Sequence, residues 1–215
     1  MMFPLIDEIG PFDAVVLADG DFPTAETPLR LLREAPRVVC CDGAAVKYPK
    51  ADVIIGDGDS VPSELRDRLI QIDEQQDNDL TKATRYCLSK GMRHIVYLGA
   101  TGQREDHTLG NISLIVRYFR EMGVEPLMVT DYGWFVPAEG DTSFASFSGQ
   151  QVSLFNVSCQ RFSSDGLKWN AYPYEQLWQG TLNEAIGDTF SIHADGCYLV
   201  YRTYSFGGKP KKNPL

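Results

Sequence analysis

Short apolar runs alternate with longer stretches of helical period through the first part of the chain, and turn residues punctuate them. Residues 13–17, 37–41, 52–55, 94–98 and 126–130 are predicted strands, because compact β-branched runs suit strands covered on both faces. Residues 28–34, 62–70, 79–90 and 107–122 carry helical patterns between them. Thr27 is expected to cap the first helix, with Pro28 at its first position. Gly91 and Gly123 are expected to close the last two. Strand and helix in this rhythm imply an α/β fold, a parallel sheet with helices on both faces.

The pattern changes after Pro137. Turn residues cluster at Glu139-Gly140-Asp141 and Ser148-Gly149. Short strands are predicted at 151–156, around 176–177, and at 189–193 and 198–204, with no long helical period. This part is predicted to be a smaller antiparallel β-sandwich. The expected division is an α/β domain over residues 1–137 and a β domain over 138–215.

Composition narrows the function classes. The hydrophobic fraction of 43% and the charged fraction of 23% exclude wholesale disorder. A net charge of -9 opposes a broad basic face for nucleic acid. It does not oppose a polyphosphate, provided that carboxylates hold a divalent metal and the metal meets the phosphate. Five cysteines, without a CxxC pair, suggest neither a disulfide framework nor a zinc site, and a reducing cytoplasm is the simplest setting. No signal peptide is evident, and the longest apolar runs, such as residues 15–18, are far too short to cross a bilayer. The Gly-, Pro- and Lys-rich tail from Gly207 is expected to be a frayed end.

Four loops concentrate the chemistry. Gly56-Asp57-Gly58-Asp59-Ser60 follows an apolar strand directly. Loops at the carboxyl ends of parallel strands form the ligand crevice of open α/β sheets, and Asp57 and Asp59 can converge on one hard cation. The plainer role of such a loop is a surface turn. Cys41-Asp42-Gly43 also follows a strand, and Asp42 is a candidate for a metal-bound water, a ribose hydroxyl or a helix cap. The third loop, Gln75 to Lys82, leads into a helix that Asp79 caps by default, although Asp79 can instead add a third carboxylate. Lys82 is placed to meet phosphate or to be solvated. The fourth and sharpest signal runs from Gly99 through Thr101, Gly102, Gln103, Arg104 and Asp106 to Asn111. A glycine-rich loop opening a helix offers backbone N–H groups to an anion, and Arg104 adds a planar charged fork. His107 is expected to be a helix-start or core histidine. Several carboxylates and one arginine at successive strand ends suit phosphoryl-type chemistry, which depends on charge neutralisation and positioning.

With these motifs in this order, the chain resembles the thiamine pyrophosphokinase family over nearly its whole length. The family's aspartate–glycine, GDxDS, pre-helix aspartate and GGRxDH loops read here as Asp42-Gly43, residues 56–60, residues 75–79 and residues 102–107. Its GLKW-type and TSNE-type turns read as Gly166-Leu167-Lys168-Trp169 and Thr181-Leu182-Asn183-Glu184. The resemblance implies transfer of a pyrophosphoryl group from ATP to the hydroxyl of thiamine, with AMP released, by a homodimer. It implies that Asp57, Asp59 and Asp79, supported by Asp42, arrange Mg²⁺ and the nucleotide phosphates. Gln75, Arg104 and Asp106 would position phosphate and hydroxyl, Gly43, Lys82, Thr101 and Gly102 would line the nucleotide site, and Asn183 would bind ligand. Trp169 would stack on thiamine, where a sandwich-core role is its competitor, and Trp134 and Trp178 are further candidates. Three positions depart from the family pattern: Gln103 stands for a glycine, Gly58 for an apolar residue and Leu182 for a serine. The alternatives are a pyrophosphokinase for another small alcohol such as a pterin, and a non-catalytic thiamine-binding protein.

Overall fold

The structure, a computed structural model, describes residues 2–74 and 76–204. Gln75 and the tail from Gly207 lie outside the described residues. The chain divides into two compact units, one running from Pro11 to Asp131 and the other formed by the described residues before and after it. The division at Asp131 lies ahead of the expected one at residue 137 because residues 133–139 form one unbroken strand within the second unit.

A short strand, β1 (Met2–Phe3), belongs to the second unit. The first unit begins with β2 (Ala14–Leu17), followed by α1 (Glu26–Glu34), β3 (Val38–Cys41), α2 (Ala44–Lys47), β4 (Val53–Gly56), β5 (Leu69–Gln71), α3 (Asp79–Ser89), β6 (His94–Leu98), α4 (Glu105–Met122) and β7 (Glu125–Val129). Its strands lie in the order β7-β6-β2-β3-β4-β5 and every pairing is parallel. All residues of β2, β3 and β4 are buried, as expected of strands covered on both faces. The chain steps from β2 towards β5, then returns across the sheet to β6. Right-handed crossovers therefore place α1 and α2 on one face and α3 and α4 on the other. The order reverses between β2 and β6, which makes the carboxyl ends of those strands the natural ligand crevice.

Four local expectations are corrected. Helix α1 starts at Glu26, so Thr27 is not its cap and Pro28 is not its first residue. The carboxylate of Asp131 accepts from the N–H groups of Thr24 (2.9 Å) and Ala25 (3.0 Å) instead, an anion at the positive end of the helix. Residues 62–70 do not form an α-helix; Ser63–Arg68 is a 3₁₀ turn that feeds β5, whose edge pairing with β4 takes Leu69 and Ile70. Asp79 does not cap α3. Asn78 does, with Oδ1 accepting from the Thr81 N–H at 3.0 Å. The segment around 176–177 is no strand, since Leu177–Gly180 forms a 3₁₀ turn closed by Gln176 and Gln179.

The second unit continues with β8 (Gly133–Glu139), β9 (Thr142–Ala145), β10 (Gln151–Asn156), β11 (Phe162–Asp165), β12 (Asn183–Glu184), β13 (Thr189–Ala194) and β14 (Cys197–Thr203). Strands β1, β9, β13 and β11 form one sheet, and the run β12-β10-β14-β8 pairs antiparallel throughout. Alternate residues of β10 and β13 are buried, the period-two pattern of strands with one face on a core. Phe144 of β9 stacks between Phe3 and Phe190. Phe162 of β11 meets Tyr198 of β14 at 5.3 Å, which brings the two layers together. Arg202 of β14 is fully buried between Trp134 and Phe144, with Nη1 donating to the Ala145 carbonyl at 2.7 Å. All five cysteines are buried and none of them forms a disulfide. Among the described residues no helix is long and apolar enough to cross a membrane.

Candidate active site

A cleft of about 350 Å³ opens at the carboxyl ends of the parallel strands of the first unit. This is the size range of small-ligand sites. Its walls are Ala18-Asp19-Gly20 after β2, Cys41-Asp42-Gly43 after β3, Ser60 after β4, Asn78-Asp79-Leu80 at the start of α3, and the loop after β6, with Ala100, Gly102, Gln103 and Arg104. His107 and Asn111 of α4 complete it. The amino ends of α3 and α4 both face this space, and helix amino ends favour anions.

Asp42 is the electrostatic centre. It is only 7% exposed, and its Oδ2 accepts from the Ser60 N–H at 3.2 Å while its buried Oδ1 has no hydrogen-bond partner. Burial pushes the carboxyl above its ordinary range, the nearby charges of Asp57 and Asp79 push it the same way, and the Ser60 N–H opposes them. A buried oxygen without a donor, in the field of two more carboxylates, fits a cation. Among the described residues, no three His, Cys, Asp or Glu side chains are gathered as a complete metal cage. A small divalent ion that keeps waters and takes one or two carboxylates plus substrate phosphates needs no such cage.

The other expected residues are distributed as follows. Asp79 lines the cleft and accepts from Lys82 Nζ at 3.2 Å; Lys82 is buried and turned to that carboxylate rather than into the cleft. Asp57 sits in the turn after β4 with Oδ1 accepting from the Asp59 N–H at 3.2 Å, and neither aspartate forms the cleft wall. Arg104 is exposed on the rim, and its Nε and Nη2 donate to the two oxygens of Asp106 at 3.1 and 2.6 Å. Arg104 holds the Asp106 carboxyl below its ordinary range. Gly43 and Gly102 are wall residues, whereas the Thr101 carbonyl accepts from the Asp21 N–H at 2.9 Å. His107 is a helix-start residue, exposed rather than in the core.

Sequence reasoning passed over Asp19 and Gly20. Their signal was available: Asp19-Gly20 repeats the strand–acid–glycine pattern of Asp42-Gly43 and Asp57-Gly58. Lys47 of α2 pairs with the Asp19 carboxylate at 2.7 Å and donates to the Gly20 carbonyl at 2.8 Å, which ties the first of these loops to the second.

In the second unit, Trp134 is 1% exposed and belongs to the core. Trp169 is 55% exposed, which removes the core reading for it, and Trp178 is exposed as well. Asn183 is buried, and both ends of its amide are engaged. Its Oδ1 accepts from the N–H groups of Trp169 (3.2 Å) and Glu184 (2.8 Å), and its Nδ2 donates to the Trp169 carbonyl at 2.7 Å. The Asn183 side chain thus fastens the turn that carries Trp169 to the turn at residues 181–184.

Comparison with known proteins matches residues 29–125 to the model of the thiamin pyrophosphokinase catalytic domain and residues 133–201 to that of the thiamin pyrophosphokinase substrate-binding domain. The chain belongs to the thiamin pyrophosphokinase family. The catalytic match lies wholly within the first unit and the substrate-binding match within the second. A search of curated proteins finds no match. Among solved structures, thiamin pyrophosphokinase from Candida albicans is similar with a TM-score of 0.76 at 16% identity, over 95% of this chain and 92% of that one. The yeast enzyme gives 0.75 at 16% identity, over 94% and 90%. Thiamine pyrophosphokinase from Bacillus subtilis gives 0.71 at 18% identity, over 90% and 100%. At such identities the likeness shows the shared fold, and the two family matches carry the assignment.

All three departures from the family motifs fall at left-handed backbone. Gly58 has φ 86°, and a Cβ there would meet Leu69 Cδ2 at 2.7 Å, so Leu69 fills the space that an apolar residue at position 58 would need. Gln103 (φ 57°) and Leu182 (φ 61°) are the non-glycine residues with positive φ among those described, a conformation that costs such residues about 1 kcal/mol or more.

Proposed function

We propose that the cleft of the parallel-sheet unit binds ATP with Mg²⁺ and that the protein transfers its pyrophosphoryl group to the hydroxyl of thiamine, giving thiamine diphosphate and AMP. The observation that carries this reading is the unpartnered Asp42 oxygen, buried in the cleft at the carboxyl end of β3 and in the field of Asp57 and Asp79. Asp42, Asp57, Asp59 and Asp79 are the residues that would hold the ion. Bound there, Mg²⁺ neutralises phosphate charge and draws electron density from the phosphorus under attack.

The chain's own groups do the remaining work. The N–H groups at the start of α3 and in the loop after β6 receive phosphate oxygens. Arg104 offers its fork to the triphosphate, and Asp106 keeps the guanidinium at the rim until phosphate replaces it. Gln75 joins them in placing the attacking hydroxyl. The oxygen of that hydroxyl bonds to the β-phosphorus as the bond from phosphorus to the α,β-bridging oxygen breaks; AMP leaves with that electron pair, and the hydroxyl proton is released to solvent. Lys82 supports the site through Asp79. In the second unit, the exposed Trp169 ring offers a face to the cationic thiazolium, and Asn183 serves thiamine by fixing that ring's backbone. The enzyme works as a cytoplasmic homodimer; the family resemblance supports the dimer, and five buried cysteines without a disulfide support the reducing compartment.

AMP release from ATP and Mg²⁺, measured with and without thiamine, tests this reading. AMP that appears only with thiamine, in equal amount to thiamine diphosphate, is the expected result. Nucleotide binding without thiamine-dependent AMP would move the acceptor to another small alcohol or make the protein a binder.

A further inference from the structure

We infer that Gln103 is a positioning residue of the nucleotide cleft, a tether that holds the loop after β2 against the loop after β6. The inference rests on the nucleotide reading above and extends it to a residue at which the sequence departs from its family. Gln103 lines the cleft and adopts φ 57°, a conformation that glycine takes freely and glutamine does not. Strain at a cleft residue persists only where surrounding contacts hold it. One such contact is visible: Nε2 donates to the Gly20 carbonyl at 3.0 Å, across the mouth between the two loops. Because that acceptor is a carbonyl, the amide edge facing it must be the NH₂.

The rest of the interface shows why the loops need fastening at that point. The Gly20 N–H donates to the Gly99 carbonyl (2.7 Å) and the Asp21 N–H to the Thr101 carbonyl (2.9 Å), so the two loops run side by side. A Cβ at Gly20 would collide with the Gly99 and Thr101 carbonyls, and one at Gly102 would collide with the Asp21 carboxylate. The approach is therefore as close as backbone allows. It also stacks acidic groups, Asp19 and Asp21, beside a cleft that already holds Asp42 and Asp79. Lys47 fastens the β2 loop from the α2 side by bonding to the Asp19 and Gly20 carbonyls. Gln103 fastens it from the β6 side, at the same Gly20 oxygen. With a glycine at position 103 the β6 side would hold the loop after β2 by its backbone bonds alone, and the wall that loop gives to the cleft would fluctuate more.

The test uses the full chain and three variants, Gln103→Gly, Gln103→Ala and Gln103→Asn. Hydrogen exchange of the Gly20 and Asp21 amides, without ligand, reads the tether directly. Titration with ATP and Mg²⁺ reads its consequence, alongside the KM for ATP and kcat. We expect faster exchange at Gly20 and Asp21 in the glycine and alanine variants, and a Kd for ATP raised about 2- to 10-fold, the effect of one lost hydrogen bond. The change falls on KM for ATP more than on kcat. The glycine variant, relieved of strain, keeps its Tm while ATP affinity falls, a split that a purely structural role would not produce. Asparagine, which tolerates left-handed backbone, is too short to restore the bond and should behave like glycine. Unchanged exchange in the glycine variant overturns the tether. Faster exchange with unchanged ATP affinity overturns its positioning role. Wild-type protein that binds no ATP defeats the nucleotide reading and the positioning role with it, while the exchange data still report on the tether alone.

Discussion

Asp42 and Asn183 are both buried polar side chains in motif loops, one in each unit, and they are built in opposite ways. Asp42 keeps an oxygen without a donor, and burial with neighbouring carboxylates raises its proton affinity. Asn183 uses its oxygen twice and its nitrogen once, all on backbone groups of its own unit. A buried polar atom left unsatisfied costs more than a satisfied one returns. Asp42 therefore holds an oxygen in wait for a ligand, while Asn183 spends its amide on shaping a surface of the second unit. There the exposed parts are aromatic and apolar, with Trp169, Trp178 and Leu182 each more than half exposed.

The largest effect is expected where the unsatisfied group is removed. Asp42→Asn should lower turnover about 100-fold or more, the scale of losing one transition-state electrostatic contact. Its effect on stability has the opposite sign. A carboxyl with a raised pKa in the folded state loses stability as pH climbs from its unfolded value through its folded one, because the folded protein holds the proton longer. At neutral pH, without divalent metal, the neutral amide should raise Tm by about 2–4 °C, the shift given by ~1 kcal/mol in a chain of this size. Thermal melts in EDTA and in Mg²⁺ check this: wild type should gain from Mg²⁺ and the variant should not. A variant that melts lower than wild type in EDTA would mean that Asp42 is a structural cap and that the contrast with Asn183 is false.

Asn183→Ala should act through the turn instead. It leaves the Trp169 N–H and carbonyl and the Glu184 N–H without their partner, which costs about 2–3 kcal/mol at a buried site. Trp169 then loses its fixed orientation, so KM for thiamine should rise while ATP affinity stays at the wild-type value. Tryptophan fluorescence anisotropy and the two affinities measure this. If Asn183→Ala weakens ATP and thiamine alike, the division of labour between the units fails.

These two residues also show what could be read without coordinates. The parallel-sheet unit was legible because buried strands leave continuous apolar runs and because the acid–glycine pairs mark strand ends. Even so, the third such pair, Asp19-Gly20, was passed over for want of a motif name. The edge strand Leu69–Gln71 was merged into a helix, since a three-residue edge strand carries too little pattern to compete with a charged 3₁₀ turn. The caps of α1 and α3 were misplaced because Asp131 is more than a hundred residues from the helix it serves and because Asn78 and Asp79 are equally good caps by type. In the second unit the strands at 133–139, 142–145 and 162–165 were missed. Serines, threonines and a proline interrupt them, and only pairing with distant strands decides them. The residue types of the site were legible; whether a polar atom is satisfied was not, because satisfaction depends on which backbone groups the fold brings near.

The smallest expected effect concerns the face of Trp169. Lys168 Nζ lies over that ring at 5.0 Å from its centroid and pairs with Glu184 at 3.5 Å. Both groups are solvent-accessible, so Lys168→Met should change stability by only about 0.5 kcal/mol. A cation already seated over the ring nevertheless competes with a cationic ligand for the same π-face, and the thiazolium of thiamine carries such a charge. Removing the ammonium should therefore tighten thiamine about 2- to 5-fold, since an exposed cation–π contact is worth about 0.5–1 kcal/mol. Oxythiamine, which keeps the thiazolium, should gain equally, while a neutral pyrimidine fragment should gain nothing. Fluorescence titration of the three ligands separates the cases: a gain for the neutral fragment would mean that Lys168 acts by steric cover, and a loss for thiamine would mean that the ammonium supports the ring rather than competing for it.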